Sequence, residues 1–365
     1  MSKESFTRRD FIAGITAAGT ATSLSAAAGG ASQPLVVHSY PVVAMKAPDS
    51  IRIVCAEKLT PEEAEKIRSA GKGVDLVLVK DRSELAVQAP NADVIFGTPD
   101  AAVIANAKRL QWVQLWHAGV ETVPKEVMDH ASVMTNMQRV FAPVIAETAF
   151  GLLLGLTRGL VQTSIPAFSE KKWKRGDAQL DDLYHKTMGC VGMGGIGSEI
   201  ARRAHDGFGM RVLATDAKPL PKPYFVAELH EPGWLMEMVP QVDVLVSCAP
   251  LTRETRHLFN ESVFRKMKPT AYFINMTRGG LVDQTALARA LKEGWFRGAG
   301  LDTTTPEPLP SEDPLWNTPN LAITPHNSGQ APIRQVRIIA LVAENVRRYT
   351  NGLPLLNVVD KTRGY

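Results

Sequence analysis

A chain of 365 residues is long enough for about two domains with ordinary cores, and with 45% hydrophobic and 21% charged residues it has the composition of a soluble globular protein. Its net charge of +4 is spread without a basic run or an aromatic-interleaved patch, so no nucleic-acid partner is expected. The three cysteines, Cys55, Cys190 and Cys248, form no C-x-x-C pair, and two of them stand in strand-like apolar runs, which argues against a disulfide framework and against a metal site.

Near the start of the sequence, Ser5-Phe6-Thr7-Arg8-Arg9-Asp10-Phe11-Ile12-Ala13 places two consecutive arginines before a polar residue, Phe and an aliphatic residue. The pattern resembles a twin-arginine export signal. A weakly apolar stretch follows over 12–24, too short and too rich in Gly, Ala and Thr to span a bilayer, and Ala26-Ala27-Ala28 offers a small-residue cleavage site. The plainer alternative is a disordered basic tail. The expectation is a signal peptide over 1–31, a mature periplasmic protein beginning near Gly29, the export machinery as a partner, and no stable membrane insertion.

Residues 32–50 carry Pro34, Pro41 and Pro48 without a clear period and read as a linker. Alternation of strands and helices begins at 51–55, a strand, with a helix over 61–70 that has Pro in its first turn and strands over 74–79, 92–97 and 112–115. This first α/β unit has no glycine fingerprint. A long apolar segment over 143–168 reads as one buried helix leading into a second unit, too broken by Gly and Thr for a membrane span.

The second unit opens on the strand 187–191 and the turn Gly192-Met193-Gly194-Gly195-Ile196-Gly197, followed by helix-forming residues over 198–204. In G-x-G-x-x-G the first glycine allows the tight turn, the second lets a phosphate approach backbone N–H groups, and the third lets the helix pack close to the strand. A strand over 211–216 then ends in Asp216, 24 residues after Gly192, where a dinucleotide fold needs a carboxylate for the adenosine ribose. An acid there favours NAD over NADP, because it would repel a 2′-phosphate. Alone, Asp216 reads equally well as a solvated strand end. Further strands are expected over 242–247, 271–275, 298–302 and 321–324, and a last helix over 332–349 that returns to the first unit. The fold class is thus α/β, with two Rossmann-like or flavodoxin-like parallel-sheet domains. The nucleotide domain, 151–325, is inserted into a substrate domain made of 51–150 and 326–365, with the active site in the cleft between them.

Arg278, Glu307 and His326 stand just after three of the late strands, and in an open α/β sheet ligands bind at the carboxyl ends of strands. Each has a dull reading by itself: a solvated loop cation, a residue in a proline turn, a satisfied strand-end histidine. Together they suit hydride transfer to a 2-oxo acid. A planar guanidinium can clamp the carboxylate and polarise the adjacent carbonyl, imidazole can supply and recover a proton, and a carboxylate on the other ring nitrogen fixes the ring.

At these residues the chain resembles the D-isomer-specific 2-hydroxyacid dehydrogenases. The resemblance is carried by 191–197, the run Ala249-Pro250-Leu251-Thr252-Arg253-Glu254-Thr255-Arg256-His257-Leu258, Met267-Lys268-Pro269, 274–283, 298–302, Glu307-Pro308-Leu309-Pro310, Pro314-Leu315-Trp316 and Thr324-Pro325-His326, most of the chain from about residue 110 onward. It implies that Arg278, Glu307 and His326 are catalytic and that Asp302 holds the nicotinamide carboxamide. It extends the nucleotide contacts beyond Gly192 to Gly197 and Asp216 to Ala249, Pro250, Thr255, Met276, Thr277, Arg278 and His326. It likens His117-Ala118-Gly119-Val120 to a loop whose amides grip the substrate carboxylate, His117 itself lying either in the pocket or outside it. It also implies a homodimer. Thr303-Thr304, Asn327-Ser328 and Glu121 depart from the family pattern, which puts substrate identity in doubt more than reaction type. The expected enzyme is an NAD-dependent oxidoreductase acting on a small D-2-hydroxy or 2-oxo acid, with its nucleotide bound before export. The alternative is a dinucleotide-binding sensor or scaffold without turnover.

Overall fold

The computed structural model describes residues 49–173 and 179–365. The expected export signal, and the linker up to residue 48, lie outside the described residues. Two parallel sheets organise the rest. The first pairs β1 (Ile51–Cys55), β2 (Val74–Leu78), β3 (Val94–Phe96), β4 (Trp112–Gln114) and β5 (Val133–Thr135) in the order β2-β1-β3-β4-β5. The second pairs β6 (Thr187–Val191), β7 (Arg211–Thr215), β8 (Glu228–His230), β9 (Val244–Ser247), β10 (Tyr272–Asn275), β11 (Gly298–Leu301) and β12 (Leu321–Ile323) in the order β12-β11-β10-β9-β6-β7-β8. These are the two common doubly wound orders, flavodoxin-like and Rossmann-like, and in the second the strand order reverses between β6 and β9.

The central strands are buried on both faces, which is why they read as unbroken apolar runs. All residues of β9, β10 and β11 are buried. The edges are different: β8 is the partly exposed tripeptide Glu228-Leu229-His230, and β5 is equally short, so neither strand leaves an apolar signature in the sequence.

The helices are α1 (Pro61–Arg68), α2 (Arg82–Gln88), α3 (Ala101–Asn106), α4 (Lys125–Asp129), α5 (Ala142–Thr157), α6 (Ile165–Ser169), α7 (Gly195–Phe208), α8 (Leu235–Met238), α9 (Glu261–Phe264), α10 (Gln284–Lys292) and α11 (Arg334–Thr350). α1 starts on a capping box in which Thr60 and Glu63 each accept from the other's backbone N–H. The apolar segment expected as one helix is broken: α5 ends before Gly159, which takes a left-handed φ of 66°, and the chain continues through a wide turn over Leu160–Ser164 into α6, bent by 63°. No single helix among the described residues is long and apolar enough to cross a membrane. α5 instead lies close over β11, because a Cβ on Gly300 would be 2.9 Å from the Leu152 Cβ.

The last helix returns to the first sheet. α11 packs on α1, and Asn345, fully buried, donates to Gln114 Oε1 at 3.2 Å and to the Leu356 carbonyl at 3.1 Å while its Oδ1 accepts from Leu356 N at 2.7 Å. Beyond it Val358 bridges Thr135 on β5, and Tyr349 lies 5.6 Å from Trp112 on β4, ring centroid to centroid. Asn345→Ala orphans buried backbone groups of Leu356, so we expect a loss of about 2–4 kcal/mol in urea unfolding. A loss within experimental error would show that the C-terminal segment is held by packing alone.

Candidate active site

The glycine turn is shaped by contacts that forbid side chains. Gly192 has φ +97°, and a Cβ there would lie 2.7 Å from the Cys248 carbonyl oxygen at the end of β9. A Cβ on Gly197 would lie 1.9 Å from the Gly192 carbonyl oxygen, so α7 can start only where this residue is bare. Gly194 differs: nothing lies within 4 Å of its Cβ direction, and it caps a 14-residue helix with its face open. Asp216, one residue beyond β7, accepts from Met193 N at 2.6 Å and from Lys218 N at 2.7 Å, so the carboxylate is pinned beside the turn. Met193 is buried, whereas Ile196 is partly exposed. Ala249 and Pro250 follow β9 across the switch point, and Thr255 donates to the Pro250 carbonyl at 2.7 Å, closing that loop.

The three late loops meet at one edge of the second sheet. Glu307 is held at both ends: Oε1 accepts from Thr304 N at 3.0 Å and Oε2 faces His326 Nδ1 at 2.8 Å. A carboxylate can only accept, so Nδ1 carries the proton and Nε2 is left to exchange one. Thr304 in turn packs under the loop after β10, where a Cβ on Gly279 would fall 2.1 Å from its carbonyl. Asn275 Nδ2 donates to the Arg278 carbonyl at 3.0 Å and to Thr303 Oγ1 at 3.2 Å. Arg278, Thr303-Thr304, Glu307 and His326 therefore form one continuous contact chain. Met276 and Thr277 are buried beneath it. Asp302 is fully buried; its carboxylate accepts from Thr324 Oγ1 at 2.7 Å and from the Ser328 hydroxyl, and its backbone carbonyl accepts from His326 N at 2.8 Å. In this arrangement it anchors the segment that carries His326, and no part of its side chain faces the open surface.

Arg278 also reaches the first sheet's loops. Its Nε donates to Glu121 Oε1 at 2.5 Å, and both groups lie directly over Gly119, where a Cβ would be 2.2 Å from Arg278 Nη2. The 117–120 loop is stiffened from behind. His117 Nδ1 donates to the Gly119 carbonyl at 2.6 Å, its Nε2 pairs with Thr98 Oγ1 at 2.9 Å, and Asn136 donates to the Ala118 carbonyl at 2.6 Å. Both nitrogens of His117 are thus engaged in holding the loop, and Val120 is buried behind it.

A sequence model of the D-isomer specific 2-hydroxyacid dehydrogenase NAD binding domain matches residues 150–328. A glyoxylate reductase of Korarchaeum cryptofilum (strain OPF8) is 37% identical over 268 residues, which make up 72% of this chain and 80% of that one. The chain belongs to the D-isomer specific 2-hydroxyacid dehydrogenase family. Among solved structures, a D-isomer specific 2-hydroxyacid dehydrogenase family protein from Aeromonas salmonicida subsp. salmonicida A449 is similar with a TM-score of 0.71 and 28% identity, over 86% of this chain and 99% of that one. An NADPH-dependent glyoxylate/hydroxypyruvate reductase from Sinorhizobium meliloti, in complex with NADP and sulfate, gives 0.72 and 25%, over 87% and 100%.

This 2-hydroxyacid dehydrogenase is accordingly an oxidoreductase with an NAD(P)-binding domain, and the glycine turn fits a dinucleotide: its open face at Gly194 lies at the start of α7, whose unpaired N–H groups favour an anion. The cysteines take no part. All three are buried and free, and burial pushes the Cys55 and Cys190 thiols up to about 12, far from a thiolate nucleophile. The partner of Arg278 was not legible in the sequence: Glu121 lies 157 residues away, and only its departure from the family pattern marked it.

The Glu121 carboxyl sits below its usual range. Burial, the largest influence, raises it, but the attraction and hydrogen bond of Arg278 outweigh burial. A group whose folded-state value is depressed stabilises the fold above its unfolded value, about 4.3 for Glu, and loses that contribution as pH falls through the folded value. Glu121→Gln should therefore be less stable than the parent at neutral pH, with the gap closing in acid as pH falls below the ordinary Glu value of about 4.3 in urea unfolding series. An undiminished gap in acid would mean that shape, not charge, makes the contact.

Proposed function

We propose that the protein reduces a small 2-oxo acid to the D-2-hydroxy acid, or runs the reverse, with NAD(H). The observation that supports this most directly is the His326–Glu307 pair, whose free Nε2 lies on the same contact chain as Arg278. When bound, the nicotinamide supplies or accepts the hydride. Arg278 binds the substrate carboxylate through donors not taken by Glu121 and draws charge from the adjacent carbonyl. His326 Nε2 gives a proton to the carbonyl oxygen as it becomes a hydroxyl, and Glu307 stabilises the imidazolium that precedes this transfer. The amides of the 117–120 loop complete the carboxylate site, and Asp302 holds the His326 segment. Residues 51–150 and 326–365 serve as the substrate domain, with 151–325 as the nucleotide domain. Such a His–Glu pair favours turnover over a sensing role.

Asp216 supports NAD over NADP, because its fixed carboxylate would oppose a 2′-phosphate. With glyoxylate or hydroxypyruvate as substrate, His326→Ala should lower kcat by about 10²–10⁴ while NADH affinity stays nearly unchanged, and Arg278→Ala should raise KM as well as lower kcat. NADH should bind at least about tenfold more tightly than NADPH, roughly 1.4 kcal/mol. Unchanged turnover in His326→Ala would remove its acid/base role, and a preference for NADPH would remove the argument from Asp216.

A second copy of the chain is the partner this reading implies. Ile165, Phe168, Trp173, Leu180 and Tyr184 are exposed apolar side chains, and a groove of about 610 Å³ between α5 and α7 is lined by Phe150, Leu154 and Phe208 together with charged groups including Arg202 and Asp206. The mature protein works in the periplasm after export on the twin-arginine pattern at Arg8-Arg9. Light scattering should give a dimer that Phe168→Glu dissociates, and fractionation of the native host should find the mature form outside the cytoplasm. A monomeric parent, or a full-length cytoplasmic chain, would defeat the respective parts.

A further inference from the structure

Arg139 lies on the connection between β5 and α5, outside the residues 150–328 that match the NAD binding domain. Its backbone is left-handed, with φ +72°, a conformation that a residue bearing a side chain rarely adopts. Its stem lies on the start of the nucleotide helix: a Cβ on Gly195 would be 2.8 Å from the Arg139 Cα and 2.7 Å from its Cγ. Gly195 is therefore bare because another part of the chain presses on it. The guanidinium is partly buried, yet among the described residues it makes no hydrogen bond and no ion pair. It is drawn towards Asp216 only at longer range, and burial, the larger influence, lowers its pKa.

Its nitrogens reach solvent and no protein acceptor among the described residues, so all five N–H donors stay open to a ligand. The side chain runs between Gly195, where the helix begins, and Asp216, the expected ribose residue, which is the path a dinucleotide follows across this turn. An oxyanion on that path would supply the missing acceptors. Lys218, beside Asp216, is also partly buried but stacks its Nζ 4.5 Å from the centroid of the Tyr365 ring, so it already has a neighbour.

We infer that Arg139 is a phosphate-binding residue of the nucleotide site, supplied from the β5–α5 connection, and that it grips the pyrophosphate of the bound dinucleotide. The inference rests on reading the glycine turn as the nucleotide site. It ties that site to the substrate loop, because Asn136 donates to the Ala118 carbonyl and Met137 N to the His117 carbonyl at 3.0 Å, only a few residues before Arg139 meets Gly195.

The test uses the full chain and binding, read by tryptophan or nucleotide fluorescence and by calorimetry, with NADH, NADPH, ADP-ribose and adenosine as probes. Arg139→Gly suits the left-handed backbone, so the variant should melt no lower than the parent. It should weaken NADH, NADPH and ADP-ribose alike by about 10–100-fold, leave adenosine within about twofold, and flatten the salt dependence of binding, while Arg139→Lys restores part of the loss. Unchanged dinucleotide affinity in Arg139→Gly would overturn the inference, as would a loss confined to NADPH, which would put the guanidinium on a 2′-phosphate instead. A parent chain that binds none of the four probes would overturn the glycine-turn reading itself, an outcome distinct from both.

Discussion

Parallel pairing makes every strand leave its sheet at the same edge, and the chemistry of this protein depends on that constraint. β10, β11 and β12 are neighbours, so the loops that follow them carry Arg278, Glu307 and His326 to one place although they span almost fifty positions of sequence. The glycine turn after β6 opens at the same edge, beside the point where strand order reverses. A strand run in the opposite sense would send its loop to the far side and separate the His326–Glu307 pair from the glycine turn.

Within that edge the loops are not left to find their own conformations. Glu307 is braced by a backbone N–H, Thr304 by the close approach of Gly279, and the His326 segment by the buried Asp302 carboxylate. The braces on Glu307 and on the His326 segment are polar and satisfied inside the protein, which is how a side chain can be both exposed and fixed. The threonines at 303 and 304 and the serine at 328, which depart from the family pattern, belong to this bracing layer. Thr303 accepts from Asn275, and Ser328 takes up one oxygen of Asp302.

The first sheet contributes through its own loops. Its 117–121 loop meets Arg278 through Gly119 and Glu121, and its β5–α5 connection meets the nucleotide helix through Arg139 and Gly195. Both meetings require a glycine on one side, since a Cβ at either position would overlap the opposing residue. The return of α11 to β4 and β5 closes the first unit around a fully buried asparagine, so the chain crosses between the sheets and comes back.

Local chemistry was readable from the sequence alone. Continuous apolar runs specify doubly buried strands, the spacing of Gly192, Gly194 and Gly197 specifies a strand-to-helix turn, and an acid after the next strand puts a carboxylate beside that turn, because each depends on residues close together in the chain. The edge strands β5 and β8 escaped because three residues are too few to show a period, and the break at Gly159 escaped because one left-handed residue is invisible in an apolar run. What only the tertiary structure decided are the pairings between distant residues: Glu121 on Arg278, Ser328 on Asp302, Asn345 on Gln114, Arg139 over Gly195. Such contacts are set by how whole elements pack, and no spacing in the sequence encodes which side chain will stand opposite which.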